Sequence, residues 1–274
     1  MKQLQKTTID EFKADFRGDV LLPGDGGYNE VRQIWNATID RRPALIARCT
    51  SPEDVVQAVK LARKQNLLVS IRGGGHNIAG NAVCDDGLMI DLALMKGVQV
   101  DPNARRATVE PGCTLGEFDA APQAHGLATP LGINSTTGVA GLTLGGGFGW
   151  LSRKYGMTID NLLSADVVTA DGSQVHASET ENADLFWGLR GGGGNFGIVT
   201  RFEFRLHPVG PDVLSGLIVF PFDQAKSVLT QFARFTETMP EDLNVWIVTR
   251  KAPPLPFLPA DVHGKEMVAL ALFY

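Results

Sequence analysis

The chain has 274 residues, 44% of them hydrophobic, and a formal net charge of -5 with acidic and basic residues mixed throughout. That length accommodates one large domain or two ordinary ones, at roughly 100–200 residues each. With no basic face for nucleic acid and no polybasic run for anionic lipid, the expected partner is a small molecule.

Residues 1–40 read as an N-terminal helical segment. Its opening, MKQLQKTTIDEFKADF, lacks the apolar core of a secretory signal, and no apolar run approaches the roughly 20 residues that span a bilayer. A soluble, cytoplasmic protein with no membrane partner is expected. Next, 44–49 has the character of a short strand and 51–65 that of a helix with a visible start. Ser51 can cap, Pro52 suits the first helical position, Asp54 sits three beyond the cap, and Val55, Ala58, Val59 and Ala62 make one apolar stripe. LLVSI at 67–71 then predicts a buried strand, giving a β-α-β unit that runs straight into SIRGGGHNIAG, 70–80.

From 88 to 110 the segments MIDL, GVQVD and ATVE predict short strands, with a tight turn at Asp101-Pro102-Asn103 between the last two. Thr114 to His125 predicts a helix. Residues 164–178 read as a hairpin about Asp171-Gly172, and 198–206 place Phe202, Phe204 and Leu206 on one face with Arg201, Glu203 and Arg205 on the other. These are α+β habits. The stretch 207–211, with two prolines and a glycine, predicts a boundary. Beyond it LSGLIVF, LNVWIVT and EMVALALFY are strand-like, and 222–238 carries Val228, Leu229, Phe232 and Phe235 at helical spacing.

Cys49, Cys84 and Cys113 are odd in number, far apart and form no CxxC pair, which argues against a zinc site, a disulfide framework or a redox dithiol. Three reduced, half-buried thiols and no metal site are expected.

Glycine is the abnormal part of the composition, with clusters at 73–75, 145–149 and 191–197 in differing contexts that do not read as repeats. Successive backbone N–H groups in such a loop can form an anion-binding nest suited to phosphate or pyrophosphate, and Arg72-Gly73-Gly74-Gly75 fits that use; a glycine turn with no ligand fits it equally. A lone histidine such as His76 is more often a structural hydrogen-bonder than a catalyst. Residues 192–197 satisfy GxGxxG, but a helix-like DLFWGLR precedes and a strand follows, the reverse of a dinucleotide fingerprint. P-loop and nucleophile-elbow motifs are absent from the sequence.

Taken in order, RGGGHNIAG, TTGVAGLTLGGGFGWLSRKYGMTIDNL and DLFWGLRGGGGNFGIVTRFEFRLHPV closely resemble the flavin-binding half of the PCMH-type FAD oxidoreductases, in the branch of berberine bridge enzyme, hydroxynicotine oxidase and glucooligosaccharide oxidase. The resemblance runs from about residue 40 to the end. It implies an α+β fold: a two-subdomain PCMH-type FAD-binding domain at 41–208, followed by the beginning of an α+β substrate-binding domain at 212–274, cut short. FAD is the implied cofactor.

The resemblance also assigns residues. The first loop, Arg72, Gly73, Gly74, Gly75, His76, Asn77 and Gly80, would hold the pyrophosphate, and His76 matches the histidine that the family bonds covalently to the flavin 8α-methyl carbon. A neutral imidazole, with ordinary pKa about 6.5, offers the lone pair this requires. Many relatives add a second bond from a cysteine in the next segment. That place falls on Asn134, and Cys113 lies too far upstream, so a single bond is implied. Asn134-Ser135-Thr136 and Asn36-Ala37-Thr38 also spell glycosylation sequons, which matter only on secretion. Gly132, Gly138, Val139, Gly141 and Leu142 correspond to backbone passing the ring and ribityl chain. Several plant relatives have histidine where Leu142 stands. Gly145, Gly147, Gly149, Tyr155, Asp160 and Asn161 complete the segment. Ile198 and Val199 match residues whose backbone meets the adenine end; as core strand residues they would look the same.

The activity so implied is oxidation of a small alcohol or amine donor by hydride transfer to flavin N5, with molecular oxygen as acceptor. No catalytic base is identified; the family takes it largely from later sequence. Two rivals are a dehydrogenase with a non-oxygen acceptor and a flavin-binding or purely structural domain without turnover. The final strand, EMVALALFY, is expected to leave an unpaired sheet edge.

Overall fold

The structure is a computed structural model and describes residues 5–274. It opens with helix α1 (Lys6–Asp15), strand β1 (Asp19–Leu21) and the single turn α2 (Tyr28–Val31). The segment expected to be helical over 1–40 therefore also supplies a strand, and its first four positions lie outside the described residues. β1 forms because Gly18 lets the chain approach the Arg48 carbonyl, which a Cβ would meet at 1.9 Å, and because Asp19 then faces Arg48 at 3.4 Å.

Strand β2 (Leu45–Arg48) leads into α3 (Pro52–Gln65), then β3 (Val69–Arg72) and β4 (Leu88–Asp91). Ser51 accepts from the Asp54 N–H as a cap should, but the buried Asp54 carboxylate does not return to Ser51. It accepts from the N–H and hydroxyl of Thr50 and from the N–H of Arg17, so it ties the helix start to the end of α1. Val55, Ala58, Leu61 and Ala62 pack beneath the sheet with Leu45, Leu88 and Ile90. The sheet order is β1-β2-β4-β3; β2, β4 and β3 run parallel and β1 antiparallel at the edge.

A second sheet is wholly antiparallel, in the order β5-β6-β10-β8-β9. Its early members are β5 (Val98–Asp101) and β6 (Arg106–Val109), followed by helix α4 (Leu115–Gln123) with a Thr114/Glu117 capping box and the short β7 (Leu127–Ala128). Helices α5 (Val139–Leu144) and α6 (Ser152–Tyr155) come next, then β8 (Leu162–Val168), β9 (Gln174–Ser178), α7 (Ala183–Leu189) and β10 (Ile198–Arg205). Alternation along β10 buries Phe202 and Phe204 against Phe118 and Val109, as the sequence predicts. Ile198 and Val168, register partners, reach into the core of the first sheet and join the two subdomains. The three cysteines are separate and fully buried rather than half-buried, and burial raises each thiol pKa, that of Cys113 to about 11.

The stretch at 207–211 does not leave the fold at once: β11 (His207–Pro208) pairs with β7. Beyond it β12 (Ser215–Pro221), α8 (Ala225–Phe235), β13 (Asn244–Lys251) and β14 (Glu266–Phe273) form a separate antiparallel sheet of order β12-β14-β13. The expected edge is corrected here. β14 is paired along both sides, because its apolar residues make it the best-buried of the three, and β12 and β13 are the edges. This sheet meets the loop at 148–154. Trp246 stacks on Trp150 at 4.8 Å, Asn244 donates to the Gly149 and Trp150 carbonyls, and Lys154 pairs with Asp242.

Candidate functional site

The glycine loop begins where β3 ends. Arg72 Nε and Nη2 reach the two oxygens of Asp91 at 2.9 and 2.8 Å, Arg48 adds a third contact at 3.2 Å, and Asp91 is fully buried. The other Arg72 amino group donates to the Val31 and Gln33 carbonyls. The Arg72 charge is thus matched inside the protein, so its guanidinium is engaged away from the cavity. Two neighbours hold that loop in place. Gly74 lies against Gly138, where a Cβ on either would come within 2.4 Å of the other's backbone nitrogen, and Gly75, at φ +71, accepts from the Trp35 N–H at 3.1 Å.

The loop opens onto a cavity of about 730 Å³ between the two sheets. Gly73, Gly74, Gly75, His76 and Asn77 line it from one side, Gly138, Gly141, Leu142 and Gly145 from the α5 side, and Ile198 and Val199 from β10. The structure does not bring the other sequence-predicted residues to this wall. Val139 is core, with its N–H on the Cys113 carbonyl. Gly80 packs on Ile39, Gly132 beside Leu142, Gly147 beside Thr158 and Gly149 beside the Leu131 carbonyl. The Tyr155 ring stacks on His207 at 3.9 Å, and Asn161 bridges the Tyr155 and Met157 carbonyls to His207 Nε2. Asp160 accepts from the Met157 N–H and faces Arg190. Conversely, Ser70, Ala82, Leu92, Thr137 and Ala140 line the cavity unpredicted, as do Gly193, Gly194 and Asn195. For the last three the signal was the 191–197 glycine run, and Ser70, Thr137 and Ala140 lie inside the first two glycine motifs; Ala82 and Leu92 carry no mark in the sequence.

Among the described residues, His76 is the one titratable side chain on the wall. Burial lowers its pKa, opposed by the Thr136 backbone, which favours the protonated ring. Its Nε2 lies 3.2 Å from the Thr136 hydroxyl, and the Trp35 ring stacks on it at 5.4 Å. Elsewhere the wall is neutral and much of it is bare backbone. A Cβ on Gly141 or Gly194 would meet nothing within 4 Å and would project into open space. A cavity in the range of about 300–1,000 Å³ typical of cofactor sites, with a glycine loop at one side and room kept by glycine, fits an extended cofactor.

The family described as FAD binding domain matches residues 43–178. The chain carries an FAD-binding domain. Its cofactor is FAD, and the matched range takes in the first two glycine clusters, while the third lies beyond it. The chain is 39% identical over 204 residues to (R)-6-hydroxynicotine oxidase of Paenarthrobacter nicotinovorans, covering 74% of this chain and 44% of that one. Among solved structures, 6-hydroxy-D-nicotine oxidase of Arthrobacter nicotinovorans is 32% identical with a TM-score of 0.85, covering 95% of this chain and 56% of that one. Xylooligosaccharide oxidase of Myceliophthora thermophila in complex with xylobiose is 33% identical with a TM-score of 0.84, covering 97% and 55%. The chain therefore spans about half the length of the relatives it matches. None of its helices, among the described residues, is long and apolar enough to cross a membrane.

Proposed function

We propose that the protein oxidises a small alcohol or amine donor, with molecular oxygen as acceptor, and holds its FAD covalently through His76 alone. The observation that carries the reading is the convergence on one cavity of backbone from all three glycine clusters, with His76 as its single titratable side chain among the described residues. Relatives named as oxidases of a hydroxynicotine and of a xylooligosaccharide support the reaction class. When bound, FAD supplies the hydride acceptor, flavin N5. The N–H groups of 73–76 would hold its phosphates, Gly138, Gly141 and Gly145 would give the ring and ribityl chain room, and the backbone of Ile198 and Val199 would meet the adenine end. Asn134, at the position where a second bond would arise, has no thiolate to offer. The flavin-binding unit is taken as 41–208 and the start of the substrate unit as 212–274.

Purified protein should be yellow, keep its colour through acid precipitation and gain the mass of about one FAD, with flavin on the His76 peptide and on no cysteine peptide. Substrate-dependent peroxide release exceeding dye reduction supports oxygen as acceptor; the reverse favours a dehydrogenase. A second reading, flavin binding without turnover by this chain, is favoured by one observation: among the described residues the wall holds no carboxylate, lysine or other base beyond His76. Peroxide release by the 274-residue chain would refute it.

A further inference from the structure

We propose that Asn134 and Thr136 are positioning residues that hold the neutral His76 ring with its proton on Nε2 and its lone pair on Nδ1. The proposal rests on the reading of His76 as the flavin-bonded residue and adds what prepares the ring for it.

The Thr136 backbone N–H can only donate, and it reaches Asn134 Oδ1 at 3.2 Å, which settles which end of the Asn134 amide faces the turn. That oxygen can only accept, so the Thr136 hydroxyl, 2.9 Å away, gives it the single hydrogen it has. The hydroxyl is left with lone pairs toward His76 Nε2 at 3.2 Å, and Nε2 must be the donor. In a neutral imidazole only one nitrogen carries hydrogen, so Nδ1 keeps its lone pair. The same turn is closed by the Thr137 N–H on the Asn134 carbonyl, and it is pinned to the His76 loop by the Gly74–Gly138 backbone contact. Trp35, anchored through its own N–H to the Gly75 carbonyl, covers one face of the ring. Edge and face are both held, and asparagine at 134 gains a use as an acceptor that a thiol, a weak acceptor, fills poorly.

The test uses the full chain purified without flavin and labelled with ring-15N histidine, with His76→Gln identifying the His76 signals. At pH above 7 the wild type should show a protonated Nε2 and a bare Nδ1 well separated in shift. Thr136→Val and Asn134→Ala should draw the two nitrogens together, and Thr136→Ser should restore them. In parallel, covalent flavin gain followed by intact mass should slow about five-fold in Thr136→Val, the worth of one ordinary hydrogen bond, and recover in Thr136→Ser. Wild-type shifts and wild-type flavin gain in Thr136→Val would overturn the positioning role while leaving the covalent reading standing. The predicted shifts without any mass gain on the His76 peptide would support the positioning role and overturn the covalent reading instead.

Discussion

His76 can be tested apart from the rest of the proposed site, because the phosphate contacts proposed for its loop come from backbone N–H groups. Replacing it with alanine should release all flavin on acid denaturation and abolish the mass gain, while non-covalent binding survives at the nest; covalent flavin retained in His76→Ala would refute the assignment. The pH dependence has a definite sign. Burial lowers the pKa of both His76 and His207, the latter with help from Arg205, Arg105 and Lys154. The unfolded chain then takes up protons first as the pH falls below about 6.5, so both histidines contribute stability that is full above that value and lost through the window beneath it. Denaturant unfolding of the flavin-free protein should show a smaller loss between pH 7.5 and 5.5 in His76→Ala than in the wild type. An equal or larger loss would mean that the ring charges as easily folded as unfolded. The place of His76 on the cavity wall was expected from the resemblance that its RGGGH loop carries; its contact with Thr136 was not, since it joins residues 60 apart in sequence.

At the scale of elements, two glycines of the site make opposite predictions. Gly74 faces the Gly138 backbone, so Gly74→Ala forces the β3 loop away from the start of α5 and should cost about 1–3 kcal/mol as well as flavin. Gly141 lies inside α5, and its missing Cβ would touch nothing of the protein. Gly141→Ala should therefore leave the flavin-free protein as stable or up to about 1 kcal/mol more so, by helix propensity, yet reduce its flavin content. Thermal denaturation without flavin, paired with the flavin-to-protein absorbance ratio, separates the two cases; equal behaviour would show that α5 does not face the cofactor. Local signals served well at this scale. Ser51 and Pro52 announced α3, and the strand after 191–197 correctly ruled out a dinucleotide fingerprint. Partners distant in the chain defeated them. Asp54 stands where a capping box would use it but bonds the Arg17 N–H, 37 residues away. Tyr155 and Asn161 engage His207, which no spacing rule connects to them.

Across the whole molecule, the two units are built differently. The first two sheets bury large side chains such as Phe118, Phe202 and Phe204 completely, whereas the three-stranded sheet buries little beyond Met267–Ala269 in the first half of β14. Strand alternation announced β14 as apolar, but its central place was not legible, because strand order depends on which neighbours arrive from β12 and β13. The consequence lies on one face of that sheet. Ile218, Leu270 and Ile247 are cross-strand neighbours in a single row, and Ile218 and Ile247 are 46% and 42% exposed. On α8 the predicted stripe is likewise half open, with Phe235 45% exposed. Apolar rows of this kind beside the unpaired edges of β12 and β13 favour association between chains. The 274-residue chain should therefore sediment as larger species as its concentration rises, without loss of flavin from the separate cavity. Because Ile218 and Ile247 are exposed, Ile218→Glu with Ile247→Lys should return it to a monomer while changing unfolding free energy by no more than about 0.5 kcal/mol. A double variant that still associates would move the contact to another surface, and one that unfolds would show that this row is packed in solution.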